Sequence, residues 1–202
     1  MNQYHPRQRL KAFTIVEVLL SAFLLVVGIL TVMSLFSAAH RNSSDTRNVI
    51  IATALAQEGV ELVRNIRDNN SAYRVTNWTT GDNCSTSLTG NCDPFRYFPN
   101  GTNQHCTVSH HSSYRANIPC PASPSTQLYL NAGMYSHTAS PTPTRFHRLV
   151  KIDHNSGSDT ARVQSFATWQ NPGSNLNNNG AVAWCTLNNR CVYTELLLSH
   201  WK

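Results

Sequence analysis

The sequence has no cysteine before Cys84, no proline between Phe13 and Asp68, and no charged side chain from Val18 to Ala39. Each absence excludes something. Without proline, and with glycine only at Gly28 and Gly59, nothing in the first third of the chain forces a break in a helix. Without charge, the stretch from Val18 to Ala39 suits a hydrocarbon solvent. At about 1.5 Å per residue it is long enough to cross a core of about 30 Å. Acids are scarce too, 10 Asp and Glu against 16 Lys and Arg, and the first dozen residues contain none. The sequence also lacks a glycine-rich phosphate loop, a paired-carboxylate motif and a nucleophile elbow, which leaves no familiar enzyme signature. Nothing calls for a cofactor.

The net charge of +6 raises the question of nucleic acid. The basic residues form no stripe, however. Arg7, Arg9 and Lys11 cluster at the start and the others are scattered singly. No nucleic-acid module is recognisable, so the charge does not point to nucleic acid as a partner.

The six cysteines, Cys84, Cys92, Cys106, Cys120, Cys185 and Cys191, all follow the apolar segment. An even number in a polar, loop-rich stretch predicts a disulfide framework and an oxidising compartment. Proximity in sequence pairs Cys84 with Cys92, Cys106 with Cys120 and Cys185 with Cys191, among 15 combinatorial possibilities. For the last pair, a three-residue loop of Leu187, Asn188 and Asn189 would close a β-hairpin and oppose the two cysteines. The set His105, Cys106, His110 and His111 lacks zinc-site spacing, so no metal site is expected.

The basic residues at the start place the N-terminus in the cytoplasm and everything beyond Ala39 outside. A cleaved secretory signal would end near Ser37-Ala38-Ala39, but its apolar region is normally much shorter. Nor does a signal explain Glu17, a carboxylate embedded among Phe13, Thr14, Ile15, Val16, Val18 and Leu19. Such a charge costs about 2.5–3.5 kcal/mol at the centre of a spanning helix, and less near its end.

The stretch Lys11-Ala12-Phe13-Thr14-Ile15-Val16-Glu17-Val18-Leu19-Leu20 resembles the prepilin cleavage and methylation motif of type IV pilins and pseudopilins. The resemblance implies cleavage of a basic leader, residues 1–12, between Ala12 and Phe13, and N-methylation of Phe13. Here Ala12 stands where the family usually has glycine. It implies as partners a prepilin peptidase, the inner-membrane pilus assembly machinery, membrane lipid before assembly, and other pilin subunits met through the helix. Cleavage would leave a cationic amine on Phe13, and Glu17 of one subunit would pair with the amine of its neighbour to set axial register. Two such charges 4 Å apart attract by about 4 kcal/mol at an effective dielectric near 20. Weaker resemblances to PilV-type minor pilins lie in Ala56-Gln57-Glu58-Gly59-Val60-Glu61 and in Thr194-Glu195-Leu196-Leu197-Leu198-Ser199-His200-Trp201. The alternative is an uncleaved, membrane-anchored extracellular binding module.

Beyond the membrane segment, residues 13–39, the helix is expected to continue over residues 40–68. Val49, Ala52, Ala56, Val60, Val63 and Ile66 recur mostly at three- and four-residue spacing, the mark of one buried stripe. Gln57, Glu58, Glu61, Arg64 and Arg67 are expected largely on the remaining surface. Residues 69–202 are expected to form the head. Loops and short strands run to Thr144, and alternating patterns then predict strands over Arg145–Asp153, Ala161–Gln170 and Cys191–Trp201, with Arg148 interrupting the apolar face of the first. A turn is expected between Asp153 and Asp159. His147, His154 and His200 are expected to be solvated or stacked. The expected fold is α+β: a long N-terminal helix, its outer half packed on an antiparallel, disulfide-stapled sheet.

Overall fold

The structure is a computed structural model and describes residues 14–76, 95, 98–109, 118–155, 158–177 and 181–199. It contains one long helix, α1 (Ile15–Thr76), which runs eight residues past the expected end at Asp68. The chain divides into two compact units at Thr46 and Arg47. The first holds the apolar part of α1, where residues Thr14 to Thr46 are all exposed. The second holds the rest of α1 together with an antiparallel sheet.

The sheet comprises β1 (Gly101–Cys106), β2 (Gln127–Asn131), β3 (Met134–Ser136), β4 (Pro143–His154), β5 (Thr160–Thr168) and β6 (Cys191–Ser199). The strand order is β3-β2-β4-β5-β6, with β1 also on β4. β2 pairs with the start of β4 and β1 with its end, so the two short strands share one side of the long one. β4, β5 and β6 form a regular meander, in register from His147↔Thr168 to His154↔Ala161 and from Thr160↔Ser199 to Thr168↔Cys191. β4 ends at His154 and β5 begins at Thr160, so the connection falls where a turn between Asp153 and Asp159 was expected; Ser156 and Gly157 lie outside the described residues. β2 and β3 are joined by a two-residue turn in which Ala132 and Gly133 both have positive φ, 48° and 82°. That is the primed turn matching the twist of a hairpin. Glycine adopts it freely, whereas Ala132 does so at a cost of about 1 kcal/mol.

The expected apolar stripe of α1 meets one face of the sheet. Val60, Val63 and Ile66 pack with Val150, Ile152, Val163 and Leu198, and Phe95, Phe98 and Val108 close that cluster. One turn earlier, Ala52, Leu55 and Ala56 pack with Leu128, Phe146, Ala167 and Trp169. Contact is closest at Gly59, where an added Cβ would overlap Ser165 Oγ and lie 3.3 Å from Arg148 Cδ. Glycine on the helix and serine on β5 let the two elements approach.

The opposite face is partly covered as well. After β5 the chain makes a 3₁₀ turn (Asn175–Asn177), the short helix α2 (Ala181–Trp184) and a second 3₁₀ turn (Leu187–Asn189). Leu176, Ala181 and Cys185 settle over Leu149, Phe166 and Cys191. Strict alternation of buried and exposed residues along β4 and β5 therefore fails: Gln164 and Thr168, expected on a solvated face, are buried. Period two identifies a strand covered on one side, and a segment folding over the second side erases the pattern.

Cys106 is bonded to Cys120 and Cys185 to Cys191, with Cα separations of 4.0 and 4.9 Å. Cys84 and Cys92 lie outside the described residues. The hairpin expected around the last pair is absent. Cys185 follows α2, β6 pairs with β5, and the left-handed residue is Arg190 (φ 51°) rather than either asparagine. The Thr186 carbonyl accepts from Asn189 N and from Cys191 N, both at 3.0 Å, turning the chain tightly enough to juxtapose the cysteines without a ladder.

Candidate functional site

Two regions carry features that packing alone does not demand. The first is the start of α1. Thr14 caps the helix: its carbonyl accepts from Glu17 N (3.1 Å) and Val18 N (3.3 Å), and its hydroxyl accepts from Glu17 N at 3.3 Å. Thr14 followed three residues later by Glu17 has the spacing of a capping box. The carboxylate also sits in the first turn, where the helix dipole favours negative charge. Among the described residues no cation lies within ion-pair distance of Glu17. Behind it the helix is apolar all round, with a mean hydropathy of 2.7 over its most apolar 18 residues and none of that window buried. Ile15 (79%) and Phe36 (72%) show how open it is. Two of its hydroxyls bond within the helix, Ser21 to Val18 O at 2.9 Å and Thr31 to Gly28 O at 2.8 Å, an arrangement that suits a lipid surrounding. By length and composition this helix could span a membrane. Ala12 and Phe13 lie outside the described residues.

The second region is the buried Arg148. It sits in phase with Phe146, Val150 and Ile152 on the helix-facing side of β4, fully buried, where the sequence suggested only an interruption. Its Nη1 meets Glu58 Oε2 at 3.1 Å and donates to Leu55 O at 3.3 Å, while Nη2 donates to Val108 O at 2.7 Å. Among the described residues its Nε has no hydrogen-bond partner, and neither does the nearby Ser165 Oγ. Burial pulls the Arg148 pKa down and Glu58 pushes it back. Glu58 thus belongs to the interior contact rather than the outer surface of α1. The same correction applies to Arg67, which is buried and bonded to Asp68 and to Ser199 O at 3.1 Å. A charge in phase with an apolar strand face was the available signal for Arg148. For Arg67 it was its place four residues after Val63 and seven after Val60, in line with the stripe.

Burial, reinforced by Arg148, drives the His137 pKa down to about 4, although the Ser125 and Gln127 backbones oppose the shift. Those backbones lie close, yet among the described residues neither ring nitrogen makes a hydrogen bond of good geometry. Burial also lowers His147, whose Nδ1 lies 3.1 Å from Thr126 Oγ1. His105 is lowered by burial first and by Lys151 second. His154 is buried rather than solvated, its ring 4.9 Å from that of Phe95 and tilted 40° to it, and edge-on to Phe98. His200 lies outside the described residues.

A shallow polar depression of about 320 Å³ at the β4–β5 turn is lined by Thr102, Asp153, His154, Asn155, Ser158, Thr160, Arg162 and Leu197. No group of three or more His, Cys, Asp or Glu able to hold a metal occurs among the described residues. Of the set considered for zinc, Cys106 is committed to its disulfide, and His110 and His111 lie outside the described residues.

Comparison with protein-family models, with curated proteins and with solved structures finds no match to this chain.

Proposed function

We propose that this chain is the precursor of a type IV pilin-like subunit, a minor pilin or pseudopilin, and that it acts by assembly rather than by catalysis. In this reading a prepilin peptidase removes residues 1–12, Phe13 is N-methylated, and the subunit waits in the cytoplasmic membrane with its N-terminus inside and its head outside. Subunits then leave the lipid and pack helix to helix in a surface filament or a secretion pseudopilus.

The observation that carries the reading is a fully exposed apolar helix bearing one carboxylate, Glu17, in its first turn. Exposed apolar surface on this scale needs a lipid or protein partner. The carboxylate needs a cation once water is excluded. A neighbour's Phe13 amine supplies that cation and fixes the stagger of the helices. The capping geometry at Thr14 favours a second reading, because it gives Glu17 a purely local reason to exist. The chain would then be an uncleaved anchor carrying a binding module. Co-expression with a prepilin peptidase, followed by intact-mass measurement, separates the two. A chain starting at methylated Phe13 supports the subunit, and a retained Met1 supports the anchor and defeats the proposal.

A further inference from the structure

The edges of the sheet differ in how well they are protected. β3 has only three residues, and β1 is irregular, with a register shift between Gly101 and Gln104. Short or bulged edges are common safeguards against unwanted pairing. β6 has neither safeguard: its nine residues contain no proline and pair with β5 in unbroken register.

Parity shows which backbone groups β6 leaves open. Trp169 N donates to Arg190 O, which makes that pair a hydrogen-bonded one in the ladder. The register then turns the N–H and C=O groups of Val192, Thr194, Leu196 and Leu198 toward β5. Those of Tyr193, Glu195 and Leu197 point outward, and no hydrogen bond among the described residues engages them. Their side chains share one face and are exposed: Tyr193 41%, Glu195 45%, Leu197 64%. The Glu195 carboxylate is held in place by Gln164 Nε2 at 2.7 Å and Arg162 Nε at 3.7 Å. It retains lone-pair sites for a further donor.

We infer that the outer edge of β6 docks one extended strand of a partner protein, with a lysine or arginine opposite Glu195 and apolar side chains opposite Tyr193 and Leu197. Main-chain hydrogen bonds would supply the affinity and alternate side chains the specificity. A second copy of β6 fits poorly. Two-fold pairing centred on Glu195 sets carboxylate against carboxylate, which is destabilising. Sliding the strands to separate the charges shortens the ladder. The inference does not depend on whether the leader is cut.

The test uses the full-length chain in detergent micelles and a fluorescent heptapeptide that alternates threonine with valine, lysine and valine, read by anisotropy. Saturable binding is expected, weaker by about threefold when glutamate replaces the peptide lysine. Leu197→Pro removes an outward N–H while leaving the β5 ladder intact, and should weaken binding by at least about tenfold. Glu195→Lys leaves the backbone untouched and should reverse the preference between the two peptides, so it serves if the proline variant misfolds. Absence of saturable binding, or equal affinity for the two peptides, would overturn the inference. So would concentration-dependent dimerisation of the peptide-free chain that Leu197→Pro abolishes, since the edge would then belong to a second copy.

Discussion

Glu17 and His137 present opposite problems of burial. Glu17 sits exposed in the first turn of α1, and assembly would bury it; its value then depends on finding a cation. Glu17→Val should leave membrane insertion intact or improve it, because a carboxylate has been removed from an apolar helix. On the proposed pilin-like reading assembly should suffer, and the recovery of subunit in sheared filaments measures it. Wild-type recovery would remove the register role. His137 is half-buried with both ring nitrogens enclosed, beside a cation. Its folded pKa of about 4 lies below the usual 6.5, so the unfolded chain takes up the proton first as pH falls. The stability it contributes is complete above about pH 6.5 and is lost progressively toward pH 4. The loss should be on the order of 2 kcal/mol, since the ring keeps some solvent contact. Urea denaturation of the detergent-solubilised chain at pH 7.5 and 4.5 should show it. His137→Gln should reduce the dependence over that interval, the remainder coming from His105 and His147, whose pKa values burial also lowers, and from carboxylates at the acid end.

Between elements, the contact that fixes α1 on the sheet is Gly59 against Ser165, flanked by the Arg148–Glu58 ion pair. Gly59→Ala would gain up to about 1 kcal/mol of helix propensity. The added methyl overlaps Ser165 Oγ in a packed interior, and such overpacking costs about 1–3 kcal/mol. The clash should win. We expect a net loss of about 1 kcal/mol in urea denaturation, partly restored by Ser165→Ala; a stabilised Gly59→Ala would show that the helix can shift. The sequence announced this region unevenly. The stripe Ala52, Ala56, Val60, Val63 and Ile66 is local periodicity and was legible, as were the three C-terminal strands. Strand order was not, because no local signal tells β4 to take both β1 and β2 on one side. Nor was the cover over Leu149 and Phe166, made by a segment without helical or alternating pattern. The Cys185–Cys191 bond follows from proximity alone, but the hairpin rationale for it fails. Five intervening residues can close a loop by a 3₁₀ turn as readily as by a ladder. Of the candidate site, the carboxylate and its apolar setting were legible; the Thr14 cap needed backbone geometry, and the buried ion pair needed the fold.

At the scale of the whole molecule, the boundary at Thr46 makes a sharper statement than any strand does. Every residue of α1 that packs into the head's core lies after it, from Val49 through Ile66, and Asn48 is the first buried side chain. The part of α1 before it contributes nothing to those clusters. A fragment beginning at Arg47 should therefore be soluble without detergent, keep the Cys106–Cys120 and Cys185–Cys191 bonds, and unfold in one cooperative transition. A fragment beginning at Asn69 should not fold. It loses Ala52, Leu55, Ala56, Val60, Val63 and Ile66 together, and each large apolar side chain contributes about 1.5–3 kcal/mol by its burial. Their sum is comparable to the 5–15 kcal/mol by which a whole domain is usually stable. The same cut also strands Arg148 without Glu58 or Leu55 O, leaving a buried cation with little but Val108 O. Far-UV and near-UV circular dichroism of the two fragments, with non-reducing peptide mapping, checks both expectations. A folded Asn69 fragment would mean that the sheet and its disulfides suffice, and that α1 is an attachment to the head rather than part of its core.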